Sequence, residues 1–349
     1  MIVTEFKPMK AVYSFVFPET FKLLRSLELV NIELLRTQTS AARAEEILHP
    51  HFPGLVVPAT TVGAIDLDEV HKPIVERIIR AYSQQAIGLD GYASVYPTSG
   101  SSEGIYHLLT KVARRGQRTI HTLVGEYEGY REQGKNVGLE TREWEIDDSS
   151  IKKLSPGTVW FISNPCARDG NILPDAFIQM LCHLGHQVIL DLAYVGATAP
   201  HRFDLTHPNI VAVVTSFSKP FGTFRFRIGG MTFSREQMPT LYGNKWFKDV
   251  QRLFQALAIA EKIGPQGLYP KYRPIQESII AALNQRFSLE LVPADSLLLA
   301  TLPASKQSTL PAKWLQKQRQ EKLNWARGKT LRFCLTPYFE DACPLSHFE

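Results

Sequence analysis

Residues 209–230 read NIVAVVTSFSKPFGTFRFRIGG, in which an apolar β-branched run, Ile210 to Val214, breaks into Thr215-Ser216-Phe217-Ser218-Lys219. Pro220 and Gly222 follow, then Arg225 and Arg227, and a second apolar run opens at Ile228. Short, unbroken apolar runs bounded by turn residues fit strands buried on both faces. The pattern therefore sets Lys219 in a loop at the mouth of a buried strand. Small hydroxyls precede it, and Arg227 stands eight residues after it. A lysine held in this way can act as an amine nucleophile toward an aldehyde, and a serine with an arginine close by can hold a phosphate. An ordinary solvated lysine satisfies the same string, so its meaning depends on what the other strands bring.

From about residue 92 the chain alternates strand and helix patterns. Strands are expected near 93–97, 119–124, 140–146, 158–163, 187–191, 210–216 and 228–234. Helical patterns lie between several of them, notably Ser101 to Arg115 and Pro174 to Leu184. This alternation predicts an α/β fold, with a large domain built on a mainly parallel seven-stranded sheet sandwiched by helices. In such sheets ligands gather at the carboxyl ends of the strands. Upstream, Glu19 to Arg36 carries leucines at helical spacing, His49 to Pro58 reads as a loop, and Asp66 to Gln85 is a second helix that tolerates Pro73 near its first turn. After residue 235 the chain turns helical, and Pro274 to Phe287 leads out of the sheet. The last 60 or so residues give short strands (LELV, SLLLATL, TLRFCL) and one helix, a small α+β domain against which the N-terminal segment is expected to pack. The division that follows is 1–45 for the N-terminal arm and helix, 46–284 for the large domain and 285–349 for the small one.

The 349 residues are too many for one small core. With 44% hydrophobic and 21% charged residues, the composition is that of a globular protein and not of a disordered one. The net charge of +5 is not concentrated. Its densest basic stretch, Lys313 to Lys329, has Trp314, Leu315, Leu323 and Trp325 near helical spacing. It reads as an amphipathic helix with a solvated face, so no nucleic-acid partner is expected. Cys166, Cys182, Cys334 and Cys343 form no CxxC pair and no ligand cluster, which predicts free thiols and no metal. The N-terminus carries Glu5 and lacks the apolar core of a signal peptide, and no apolar stretch approaches the ~18 residues needed to span a bilayer. A cytoplasmic protein without membrane contact is the expectation.

Four expected strand ends carry polar groups. Tyr96-Pro97-Thr98-Ser99-Gly100-Ser101-Ser102-Glu103-Gly104 is a Gly/Ser turn that opens directly into a helix, where exposed N–H groups and the helix dipole favour a phosphate. Phe161-Ile162-Ser163-Asn164-Pro165 ends a strand with an amide able to donate to a phenolate-like oxygen. Val188-Ile189-Leu190-Asp191 ends a fully apolar strand in a carboxylate, which is costly there unless a cation pairs with it. A protonated pyridine nitrogen would serve, as pyridoxal phosphate requires to act as an electron sink. The fourth end is Ser216, Lys219 and Arg227. Capping or turn formation explains each one alone; together they meet what that cofactor demands.

In these stretches the sequence resembles the aminotransferase class I/II family, the fold-type I enzymes dependent on pyridoxal 5′-phosphate. The matching strings run in the family's order: SGSSEG, Asn164-Pro165 with Gly170, Asp191-x-x-Tyr194, Ser216-x-Ser218-Lys219 and Arg227-x-Gly229. The resemblance covers roughly residues 90 to 235, and more weakly the C-terminus. It implies an aspartate-aminotransferase-like fold and a homodimer with an amino-acid substrate. It makes Lys219 the lysine that bonds the cofactor and shuttles a proton at the substrate α-carbon. Asp191 would pair with the ring nitrogen, Asn164 and Tyr194 would bond the ring hydroxyl, and Ser101, Ser102, Ser216 and Arg227 would hold the phosphate. Tyr127, within Glu126-Tyr127-Glu128-Gly129-Tyr130, would lie over the ring, and Arg332 would clamp the substrate carboxylate.

The sequence departs from the family near its N-terminus. The usual glycine–proline turn that lids the site is not found, and the region before Pro73 lacks the tyrosine that commonly reaches a neighbouring subunit. Amino-group transfer is the leading expectation. The altered arm also admits β- or γ-elimination with ring closure, as in enzymes resembling capreomycidine and enduracididine synthases, where Glu5 and Glu19 are the acidic candidates for a guanidinium. A cofactor-binding sensor is disfavoured, because no helix-turn-helix accompanies the site.

Overall fold

The computed structural model describes residues 3, 5–7, 15–36, 40–244, 250–312, 315 and 326–345. Its central sheet contains β1 (Ser94–Thr98), β2 (Thr119–Leu123), β3 (Glu140–Trp144), β4 (Val159–Ser163), β5 (Gln187–Leu192), β6 (Ile210–Thr215) and β7 (Gly230–Ser234). The strand order is β1-β7-β6-β5-β4-β2-β3. Strands β3, β2, β4, β5 and β6 pair in parallel, while β7 runs against both its neighbours, β1 and β6. The expected mainly parallel seven-stranded sheet is therefore present.

The helices before the sheet are α1 (Pro18–Ser26), α2 (Glu28–Arg36), α3 (Ala41–Leu48) and α4 (His71–Tyr82). Those interleaved with it are α5 (Ser101–Arg114), α6 (Gly129–Asn136) and α7 (Asp175–His183), and α8 (Val250–Ala258), α9 (Tyr269–Phe287) and α10 (Thr336–Ala342) follow. The central strands β4, β5 and β6 are apolar at most positions because both faces are covered. Successive residues serve opposite faces, as the two-residue strand period requires. Trp160, Ile162, Val188 and Leu190 join one core with Phe177, Ile178 and Leu181 of α7. Phe161, Ile189, Ala212 and Val214 join another with Ile105, Leu108, Leu109 and Val112 of α5.

A second, antiparallel sheet has the order β8-β9-β11-β10, from β8 (Val292–Pro293), β9 (Leu299–Pro303), β10 (Ala326–Arg327) and β11 (Thr330–Cys334). N-terminal aromatics pack on this part of the molecule. The ring of Phe6 lies 5.2 Å from Phe287 and 6.2 Å from Phe333, and Phe15 lies 5.6 Å from Phe339. Phe17 meets Tyr272 of α9 edge-on at 4.8 Å.

Three local expectations change. The helix expected over 19–36 is two helices that meet at Leu27, where Ser26 Oγ donates to Leu23 O at 2.7 Å and competes with the backbone ladder. The helix expected from Asp66 begins at His71, because Asp66 Oδ1 accepts from Asp68 N and closes a turn first. The helix expected from Pro274 begins at Tyr269, with Pro270 in its first turn, where a missing N–H costs nothing. The basic stretch 313–329 lies largely outside the described residues. Cys166, Cys182, Cys334 and Cys343 are free thiols. Among the described residues no group of side chains has metal-ligand clustering, and no helix is long and apolar enough to cross a membrane.

Candidate active site

The strand order brings the polar strand ends onto one edge. The parallel register sets Ser163 beside Asp191 and Leu192 beside Thr215, and Asn164 N donates to Asp191 O at 2.9 Å. Because β7 is antiparallel, the segment 216–229 turns back over that same edge and returns at Gly230, which pairs with Thr98 at the end of β1. The turn before α5 thus lies beside the loop that carries Lys219. The approach is close enough to demand glycine: a side chain on Gly229 (φ 98°) would strike Thr98 O, and one on Gly230 would strike Thr215 O.

Ser99, Gly100, Ser101, Ser102, Tyr127, Ser216, Lys219 and Arg227 line one cavity of about 420 Å³. Ser101 is the first residue of α5, so the positive end of the helix faces this space. Ser102 Oγ and Tyr127 Oη lie 2.9 Å apart, which steadies the ring. Ser216 Oγ accepts from Ser218 N at 3.1 Å. Arg227 is exposed, takes a left-handed backbone (φ 52°) and has its guanidinium 4.8 Å from the Phe224 ring. Lys219 Nζ lies 4.8 Å from the centre of the Tyr194 ring and 5.4 Å from that of Tyr127.

Asn164, Asp191 and Tyr194 do not line the wall of this cavity. Asp191 is 4% exposed; its oxygens accept from Ala193 N (2.9 Å) and Tyr130 Oη (3.1 Å). Burial pushes its carboxyl above the usual range, against the pull of Lys219 and of those two donors. Asn164 is fully buried; its Oδ1 accepts from Leu173 N at 2.9 Å, while its Nδ2 finds no hydrogen-bond partner among the described residues. A sealed amide donor left without an acceptor is costly and calls for an explanation. Asn164 also borders a second cavity, of about 280 Å³, beside α7. Tyr194 is packed among Ala167, Ala294, Leu299 and Cys334. Arg332, on β11, is not on the wall either, and its Nη1 donates to Ala167 O at 2.6 Å.

These residues fit pyridoxal phosphate. They offer an amine beside two aromatic faces, a helix start with an arginine for a phosphate, a buried carboxyl for a ring nitrogen and an unsatisfied amide for a ring oxygen. Of the acidic candidates for a guanidinium, Glu19 is paired with Lys271 and accepts from Tyr272 Oη at 2.6 Å, and Glu5 is exposed.

Sequence reasoning missed Glu126 and Tyr130 as parts of this arrangement. Tyr130 is buried and donates to Asp191. Burial, with Asp191 and Glu126 nearby, pushes its phenol well above the usual range. Glu126 is buried at the end of β2, and burial pushes its carboxyl up to about 7 against the pull of Ser163 and Tyr127 N–H. A carboxylate that ends an apolar run was the signal at Asp191, and His121-Thr122-Leu123-Val124-Gly125-Glu126 repeats it in weaker form.

The family model described as aminotransferase class I and II matches residues 63–290. A histidinol-phosphate aminotransferase of Gloeobacter violaceus is 28% identical over 143 residues, which span 38% of this chain and 40% of that protein. Among solved structures, MppP soaked with the product 2-ketoarginine is similar over 100% of both chains, with a TM-score of 0.66 and 12% identity. The Thermus thermophilus aspartate aminotransferase tetra mutant has a TM-score of 0.63 at 12% identity, over 97% of this chain and 96% of that one. YbdL from Escherichia coli, for which a methionine aminotransferase function is identified, has a TM-score of 0.59 at 17% identity, over 95% and 96%. At such identities these structures bear on the fold alone.

Proposed function

The chain belongs to the aminotransferase class I and II family, and we propose that it is a pyridoxal 5′-phosphate-dependent enzyme acting at the α-carbon of an amino acid, whose amino group it transfers to a keto acid. The observation that carries this reading is the convergence of Lys219, Tyr127, Ser101, Ser102, Ser216 and Arg227 on one cavity. When bound, the cofactor supplies an aldehyde for the amine and a ring that spreads the charge left at the α-carbon.

The chain's own residues would do the rest. Ser101, Ser102, Ser216 and Arg227 would hold the phosphate, with the start of α5 supplying N–H donors. Asp191 would hold the ring nitrogen in its charged form; the low dielectric around it makes that pairing strong. Asn164 Nδ2 and Tyr194 would donate to the ring oxygen, and Tyr127 would cover the ring. Lys219 Nζ would hold the cofactor at rest, then take the proton from the substrate α-carbon and return it elsewhere. Arg332 would orient the substrate by its carboxylate. A homodimer, which rests on the resemblance to the family, and the division 1–45, 46–284 and 285–349, which rests on the pattern of strands and helices, belong to the same proposal.

Supplying the loaded protein with amino acids, including arginine and its hydroxylated forms, tests the reaction. Transfer predicts a keto acid formed in step with the aminated cofactor, and turnover only when a second keto acid is added. Loss of water with retention of the amine, and no need for a keto acid, would instead establish elimination with ring closure.

A further inference from the structure

Among the described residues, four donors converge on the buried carboxyl of Glu126. Ser163 N donates to its Oε1 at 3.0 Å, and Cys166 Sγ lies 3.5 Å from the same oxygen. Ser163 Oγ donates to its Oε2, which also accepts from Tyr127 N at 3.2 Å. An ionised carboxylate is an acceptor at both oxygens, so it satisfies this set; a protonated carboxyl or an amide turns one of them into a donor facing donors.

The bonds continue past Glu126 in both directions. Tyr127, one residue on, puts its ring beside Lys219. Ser163 Oγ, while donating to Glu126, accepts from Ala167 N at 2.6 Å, and Ala167 O accepts from Arg332 Nη1 at 2.6 Å. A single buried side chain thus ties the loop after β2 to the end of β4, and through Ala167 to Arg332 on β11.

We propose that Glu126 is a positioning residue, and that its gain or loss of a proton sets whether Tyr127, Ser163 and, through Ala167, Arg332 are held as the site requires. The proposal rests on the cofactor reading above. Among the described residues, the titratable groups that face Glu126 include Asp191 at the end of β5, Tyr130 on α6, and Cys166 and Arg168 on the segment after β4. Asp191 opposes its ionisation, and Ser163 and Tyr127 N–H favour it, while burial leaves the balance near neutrality, at about 7. As pH falls through that value Glu126 takes up a proton and the latch loosens.

The test is the affinity for pyridoxal 5′-phosphate, and the circular dichroism of the bound cofactor, followed from pH 5.5 to 8.5 in the wild type, Glu126→Gln and Ser163→Ala. The wild type is expected to weaken on the acid side, with an inflection near 7 and a loss of about tenfold or more, the scale of a hydrogen bond to a charged group. Glu126→Gln is expected to lack that inflection and to bind throughout at the acid-side level. Ser163→Ala removes a donor that favours the ionised form, so its inflection moves to higher pH; this readout stands even if Glu126→Gln fails to fold. A wild type that binds the cofactor with an inflection that neither substitution alters would overturn this inference alone. A wild type that does not take up the cofactor overturns the functional reading and this inference with it.

Discussion

In the proposed site Arg332 would give the substrate carboxylate two things, charge and shape. Its guanidinium already spends one N–H on Ala167 O, and a planar fork keeps further donors for a bidentate contact. Arg332→Lys keeps the charge and loses both the fork and the brace. The KM for the amino acid is expected to rise by about tenfold or more with a smaller change in kcat, which steady-state kinetics checks; an unchanged KM would remove Arg332 from the substrate's side. Asp191 stood out in the sequence because a carboxylate ending an apolar strand is costly, and Lys219 stood out only through Asp191, Asn164 and the SGSSEG turn at the other strand ends. Glu126 was not, because Glu126-Tyr127-Glu128-Gly129-Tyr130 looks like an exposed acidic turn. Its burial comes from β4, which the fold sets beside β2, and from Ser163 and Cys166, about forty residues away in the chain. Local charge does not report such a neighbour.

Among elements, the loop between β6 and β7 depends on how closely it approaches β1. Gly229 has φ 98°, and a side chain there would strike the Thr98 carbonyl. Gly229→Ala therefore adds backbone strain to a steric clash and is expected to lower stability by about 1–3 kcal/mol, measured by urea denaturation. It should also weaken cofactor binding, since the turn before α5 and the loop bearing Lys219 can no longer close on each other; a protein as stable as the wild type would contradict the close approach. The strands of the central sheet were legible to within a residue or two, the inner ones because buried strands leave short, bounded apolar runs. The short strands near the C-terminus began up to three residues later than expected. Helix ends were less so. The break at Leu27 follows from one serine hydroxyl and the late start of α4 from one aspartate, both side-chain bonds to backbone that a hydrophobic period does not reveal.

For the whole molecule, the order of strands was the feature the sequence could not supply. Hydrophobic period gives the existence of a strand and not its neighbour. The order β1-β7-β6-β5-β4-β2-β3 carries the chain from one end of the sheet to near the other and back, and it gathers residues from Ser101 to Arg227 on one edge. N-terminal aromatics then bind the second sheet, α9 and α10 through Phe6, Phe15 and Phe17, so the segment that departs most from the family is also part of the core. The proposed function centres on Lys219 as the residue that would hold the cofactor. The most direct measurement is to load the protein with pyridoxal 5′-phosphate, reduce it with borohydride and map the modified peptide by mass spectrometry, with Lys219→Ala in parallel. The account predicts the reduced cofactor on Lys219 and none on the variant; cofactor fixed on another lysine, or equally on wild type and variant, would contradict it.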